Sequence, residues 1–312
     1  MKRFVAAAVL AFLPIVAIAA EEGRPEWAFP MAEPNLPPED VTTVKHVPGS
    51  TKAYNQQQID NLFDVPDWFP DEHSPAPAIV TKGRDMAVRG CGSCHLMNGM
   101  GHPESANVSA LPVDYTLQIL KDFGNGNITG VKSTSMIMIG KTISDADARD
   151  AAEWFAKLKP VTWIKVVESN TVPKSYVGKG NMRFRAPAGG EEAIGNRIIE
   201  IPQDEALVIA RDPHVGFTAY VPVGSIKKGE ALVKTGGGKT IQCDVCHGPE
   251  LKGVGDVPQI AGRSPVYIVR QMWDIKTGAR KGPAVALMQG VVANLTADDM
   301  IAAAAYVASR TP

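Results

Sequence analysis

Cys91-Gly92-Ser93-Cys94-His95 returns later in the chain as Cys243-Asp244-Val245-Cys246-His247. On a helical turn residues i and i+3 are neighbours. Each pair therefore presents two thiols side by side, with an imidazole on the next residue. This is the attachment signature of a c-type haem: two thioethers to one porphyrin edge and a proximal histidine on the iron. The motifs use all four cysteines of the chain, so none is left for a structural disulfide. A zinc site built from two such pairs has them roughly 15–20 residues apart; here they are 152 apart. A redox dithiol needs no histidine after it. Two covalently bound haem c groups, each with its iron, are expected at Cys91, Cys94, His95 and at Cys243, Cys246, His247.

The shift of 152 extends well beyond the motifs. Tyr115 falls on Tyr267, Asp122 on Asp274, Gly126 on Gly278, Ile143 on Leu295, Trp154 on Tyr306 and Met136 on Met288. One haem-binding unit has been used twice. The repeat also selects the sixth iron ligands, Met136 and Met288, expected in loops before the terminal helices. A thioether favours ferrous iron and raises the potential. In the first unit Met138 is a rival to Met136. Met86, Met97 and Met100 lie too close to the attachment turn to reach across a porphyrin ring.

The 312 residues suffice for about two domains, and a net charge of −1 gives no reason to expect nucleic acid as a partner. Aromatics are sparse at 6%, which suits small units whose core is largely porphyrin. Residues 1–20 read as a signal peptide: Lys2 and Arg3, the apolar run Phe4 to Ala17, then Ala17-Ile18-Ala19. No other stretch is long and apolar enough to cross a bilayer. Export fits the haem reading and implies a periplasmic protein.

Residues 21–75 read as a Pro-rich N-terminal arm that lies on the surface, with one short helix near Gln56–Phe63. Residues 76–160 form the first haem unit: a short helix from Ile79 to Arg89, a helix at Tyr115–Phe123, loop over 124–142, and a helix from Asp145 to Leu158 capped by Ser144. Residues 161–225 alternate β-prone runs (Val161–Val167, Met182–Arg185, Arg197–Ile201, Ala206–Ala210, Phe217–Val221) with Gly and Pro. They read as a small β-rich insertion and a candidate docking element. Residues 226–312 form the second unit, with helices at Ile226–Lys234, Pro265–Lys276 and Ala297–Ser309. The fold class expected is mostly α.

Several stretches of the second copy carry a family resemblance: Cys243-Asp244-Val245-Cys246-His247-Gly248, Pro258-Gln259-Ile260-Ala261-Gly262, Tyr267-Ile268-Val269-Arg270-Gln271 and Gly278-Ala279-Arg280-Lys281. Both units resemble class I cytochrome c domains, and the pair resembles the diheme cytochrome c4 family. The resemblance covers the two units, and neither the arm nor the insertion. It implies two helical domains that face each other and pass electrons. It also implies that the Pro258 carbonyl accepts the Nδ1–H of His247; the first copy departs from that pattern with Ala106, where any backbone carbonyl could serve. Arg280 and Lys281 follow the middle helix and are expected to bond a propionate, to meet an acidic partner, or to stand as a solvated pair.

Two ligands per iron leave no open position for a substrate, and no catalytic residue is implied. The expected function is a carrier of single electrons between redox protein partners. The donor would be a periplasmic dehydrogenase or a quinol oxidase module, and the acceptor an oxidase or reductase. A diheme peroxidase and an electron-transfer subunit of a larger dehydrogenase complex are the competing readings.

Overall fold

The computed structural model describes residues 23–32 and 39–312. The expected signal peptide, and Pro34, Pro37 and Pro38 of the arm, lie outside those residues.

The repeat seen in the sequence is a repeat of backbone path. The motif turns are Gly92–His95 and Asp244–His247, the middle helices Val113–Gly124 and Pro265–Lys276, the terminal helices Asp145–Ala156 and Ala297–Ala308. Every pair starts and stops 152 residues apart. Left-handed backbone recurs at the same register, at Leu96 and Gly248, Gly99 and Leu251, Gly101 and Gly253, and Ala110 and Gly262. A non-glycine residue pays about 1–2 kcal/mol for that conformation, so the path is held even where the residue does not favour it. The terminal helices start alike. Ser144 Oγ accepts from Asp147 N at 3.1 Å, and Thr296 forms a capping box with Asp299.

The units differ ahead of their motifs. The second has a full helix, Ser225–Thr235, crossing Ala297–Ala308. Gly229 sets the approach, because a Cβ there would lie 1.9 Å from the Ala302 carbonyl oxygen. The first unit has only Ala78–Thr81 in place of the expected helix Ile79–Arg89. The chain turns at Gly83 (φ +68°), and Arg84 then pairs with Val88 in an antiparallel bridge.

Three other expectations are corrected. Residues 134–142, read as loop, form the helix Thr134–Thr142. Gly124 and Gly140, read there as breakers, are where that helix crosses Val113–Gly124: a Cβ on Gly124 would lie 2.4 Å from the Gly140 oxygen, and one on Gly140 2.6 Å from the Leu120 oxygen. Met288 likewise sits on a helix, Ala286–Val292. Ala206–Ala210, read as a strand, is the helix Glu205–Ile209, whose first turn is capped by Asp204 accepting from Leu207 N at 3.0 Å. A short apolar run does not separate strand from helix by periodicity; the cap decides.

The named strands of the segment between the units lie between residues 164 and 221. Phe217–Val221 is central, parallel to Ile164–Glu168 and antiparallel to Ile199–Pro202. Its alternate residues Phe217, Ala219 and Val221 are buried. Phe217 and Ala219 pack with Leu96 and Met100 of the first unit, while Val221 joins the core of the second. Further upstream, Ala28 and Phe29 enter that second core, and Trp68 packs on Ala210 and donates to its carbonyl at 2.8 Å.

The units meet across a pseudo-two-fold axis. Thr129 N donates to Ala279 O at 2.7 Å, and Lys281 N donates to Asn127 O at 2.8 Å. Shifted by 152 these are one contact made in both directions, the mark of an isologous interface. Ile128 and Arg280, themselves 152 apart, bridge between them. Gly130 lies against the Asp274 carboxylate, and Gly282 lies against that of Asp122.

Candidate functional site

The two attachment turns are built alike. His95 N bonds Cys91 O at 3.0 Å, and His247 N bonds Cys243 O at 2.9 Å. One helical turn thus brings each pair of thiols together and aims the histidine off its end. The next residue turns left-handed, Leu96 at φ +61° and Gly248 at φ +79°, and reverses the chain. Gly101 N and Gly253 N then bond the histidine carbonyls at 2.9 and 2.6 Å.

Each ring is oriented from behind. His95 Nδ1 donates to Ala106 O and His247 Nδ1 to Pro258 O, both at 2.8 Å. A carbonyl can only accept, so Nδ1 carries the proton and Nε2 keeps a lone pair for a metal. Burial lowers both histidine pKa values, which keeps the rings neutral. Ala106 serves as well as proline does, because the acceptor is backbone.

Burial pushes Cys91 up to about 12 and Cys243 up to about 11, whereas reactive thiols are shifted down. None of the four cysteines is paired in a disulfide, and among the described residues no three or more His, Cys, Asp and Glu side chains gather as a zinc site requires.

Met136 is half-buried on Thr134–Thr142, while Met138 on the same helix is 58% exposed. Met288 packs against the core of the second unit. Met97 and Met100 are buried in apolar clusters, and Met86 is exposed.

Several cationic and amide groups line the seam, and of these the sequence reading gave a role to Arg280 alone. Arg263 is buried; its Nε donates to Gln259 O at 2.6 Å and its Nη1 to Asn107 O, and its Nη2 has no partner. Gln259 Nε2 also lacks one. Arg280, expected near a propionate or in a solvated pair, is buried: it donates to Gln271 Oε1 at 2.5 Å and Tyr115 OH at 3.0 Å, and its Nε is unpaired. Buried donors normally find partners. Unmet guanidinium and amide N–H groups in the second unit, one of them beside the Pro258 that holds His247, fit a group bearing carboxylates, as a haem does. The sequence reading named Arg280 as a propionate or partner candidate and gave no signal for Arg263.

Arg270 is 2% exposed and donates to Ala28 O at 2.6 Å, Pro103 O at 2.5 Å and Glu104 Oε2 at 3.2 Å. It ties the N-terminal segment and the first unit to the middle helix of the second. Glu200, on the strand Ile199–Pro202, accepts from Val266 N at 3.0 Å and from Ser264 Oγ, and so caps that same helix. Burial pushes its carboxyl up to about 7. A raised carboxyl pKa means that the native state holds the extra proton. That part of the stability is complete below pH ~4.5 and is lost as pH rises towards 7, roughly 3 kcal/mol at most. Denaturant midpoints are expected to fall between pH 5 and 8, and Glu200→Gln to remove that slope. An unchanged slope in the variant would refute the assignment.

Comparison with known proteins places these features among c-type cytochromes. The chain is 26% identical over 223 residues to a thiosulfate dehydrogenase electron acceptor of Thiomonas intermedia, covering 70% of this chain and 78% of that one. It is 34% identical over 84 residues to cytochrome c4 of Azotobacter vinelandii, covering 25% and 40%. It is 32% identical over 69 residues to cytochrome c-554(548) of Halomonas halodenitrificans, covering 22% and 83%. No family model matches. A solved thiosulfate dehydrogenase from Marichromatium purpuratum superposes with TM-score 0.49 at 22% identity, over 73% of this chain and 38% of that one.

Proposed function

The chain belongs to the class I cytochromes c and is an electron-transfer protein, and from that premise we propose that both attachment motifs are loaded and that the protein passes single electrons in the periplasm. Cys91 and Cys94 would hold one haem and Cys243 and Cys246 the other. His95 with Met136 and His247 with Met288 would be the axial pairs. The bound groups supply reversible ferric–ferrous chemistry. The polypeptide holds each imidazole in one tautomer, keeps water from the rings and offers donors for the carboxylates. The observation that carries the reading is the pair of 2.8 Å histidine–carbonyl bonds in two superposable turns.

The half-buried place of Met136 against the 58% exposure of Met138 favours Met136 as the ligand. We take the donor to be a dehydrogenase, alone or as a complex in which this chain is the cytochrome subunit. The likeness to a thiosulfate dehydrogenase electron acceptor makes an enzyme that oxidises sulfur oxyanions the first donor to assay. A potentiometric titration with spectra tests the function: two one-electron low-spin steps are expected. A high-spin ferric signal would favour a peroxidase instead. Cys243→Ala is expected to leave one covalent haem per chain by pyridine haemochrome assay, and two would rule out the second attachment.

A further inference from the structure

The repeat provides an internal control for its own surface. At equal register Ser93, Leu96, Asn98, Met100 and His102 of the first unit stand where Val245, Gly248, Glu250, Lys252 and Val254 stand in the second. In the first unit this face is taken up by the chain itself. Arg211 Nη1 donates to Ser93 O at 2.7 Å, and Asn98 Nδ2 donates to Pro213 O at 2.7 Å. Leu96 and Met100 pack with Trp163, Val208 and Phe217. Ser93, Leu96 and His102 line one wall of a cavity of about 240 Å³ whose other wall is the 161–225 segment.

In the second unit the same face is bare. Val245 is 66% and Val254 55% exposed. Val245 stands between Cys243 and Cys246, and Gly248 follows one turn later. A Cβ on Gly248 would touch a Val254 methyl at 2.6 Å, so Val254 lies beside that turn. Glu250 and Asp256 are exposed carboxylates at its edge, and Lys252 is 3.4 Å from Glu250. Single exposed valines need no explanation. An apolar pair at the one place where its twin is covered by protein does.

The cover on the first unit shows what such a face accepts: apolar side chains and a guanidinium that reaches the backbone carbonyl between the two cysteines. We propose that the Val245–Val254 face docks a redox protein presenting an apolar patch edged with Arg or Lys, while the 161–225 segment closes the equivalent face of the first unit. This rests on the electron-carrier reading. Traffic with partners then enters and leaves through the second unit. Each encounter moves one electron, ferrous iron becoming ferric as the partner's oxidised centre is reduced, with no atom or proton exchanged. The segment that the sequence suggested as a docking element is thus itself docked.

The probe is tris(phenanthroline)cobalt(III), an apolar trication that accepts one electron, with anionic hexacyanoferrate(III) as the control. In stopped-flow oxidation of the reduced holoprotein, Val245→Lys with Val254→Lys is expected to slow the cobalt complex by about tenfold or more and not to slow hexacyanoferrate. The wild-type cobalt rate is expected to fall with added salt, since opposite charges are being screened. Redox-inert tris(phenanthroline)chromium(III) is expected to broaden the methyl signals of Val245 and Val254 ahead of those of Val223, a valine 61% exposed elsewhere. Both substituted sites are exposed, and the potential of the variant is measured first, so that the cobalt and hexacyanoferrate rates are compared at known driving force. If no haem spectrum is present at all, it is the carrier reading that fails. An unchanged cobalt rate, a rate that rises with salt, or equal broadening at Val223 overturns the docking face. So does a wild-type dimer in sedimentation that the double variant dissolves, because the occupant would then be a second copy.

Discussion

Replacing Met288 with alanine is expected to lower the midpoint potential of the second haem by on the order of 0.1–0.2 V, within the roughly 0.8 V over which axial ligands act, and to let carbon monoxide bind there. The thioether stabilises ferrous iron, and alanine offers no atom in its place. Met288 is half-buried on Ala286–Val292 and packs on the second core, so truncation also leaves a cavity. That packing loss, roughly 2–5 kcal/mol for a fully buried methionine, is smaller at a half-buried one and lowers stability without moving a potential. The two roles therefore separate. Met288→Leu keeps the packing and loses the ligand, so its potential should match that of the alanine variant while its stability matches wild type. A titration of Met288→Leu that overlays wild type would remove Met288 from the ligand set. The same substitutions at Met136 and Met138 are expected to affect only the first haem, and only through Met136.

Arg270→Met is expected to destabilise the protein by about 3–5 kcal/mol, the usual cost of removing one partner from a buried ion pair. Methionine nearly fills the volume, so the loss falls on the groups left behind. The carbonyls of Ala28 and Pro103 and the carboxylate of Glu104 lose their donor, in a place where the arginine is 2% exposed. Lys132 remains 3.0 Å from Glu104 and keeps part of its compensation, which puts the expected value near the lower end. Adding Glu104→Gln is expected to recover part of the loss, because it removes the stranded charge. Urea midpoints of the two single variants and the double variant close the cycle. A loss below about 1 kcal/mol, the level of an exposed pair, would show that Arg270 is not what ties the two units and the N-terminal segment together. Hydrogen exchange at Ala28 and Phe29 is the local readout, and it should rise in Arg270→Met ahead of global unfolding.

How much of this was legible beforehand follows the range of the interaction concerned. The attachment turns were legible because their chemistry is local: two thiols and an imidazole within five residues. The two-fold use of one unit was legible because an ungapped shift of 152 preserves residue types along with backbone path, and it carried both middle helices and both terminal helices with it. Most of the β runs between the units were found as well, since alternation shows within five residues.

The readings that failed depended on partners distant in the chain. Gly124 and Gly140 look like breakers until two helices are seen crossing through them. Glu205–Ile209 looks like a strand until Asp204 is seen to cap it. Arg270 gave no signal because its partners lie 166 to 242 residues away.

By itself, then, the sequence determined what is local and periodic: two Cys-x-x-Cys-His turns of one build, the helices that follow them, and that the arrangement occurs twice. Only the tertiary structure decided that the two copies face each other across Ile128 and Arg280, and that one attachment face is roofed by the chain while its twin stays bare. The reason is physical. The motif turns depend on residues i to i+4, which any window of sequence contains. Burial of a face depends on which remote segment folds over it, and Ser93 and Val245 carry no local trace of that difference.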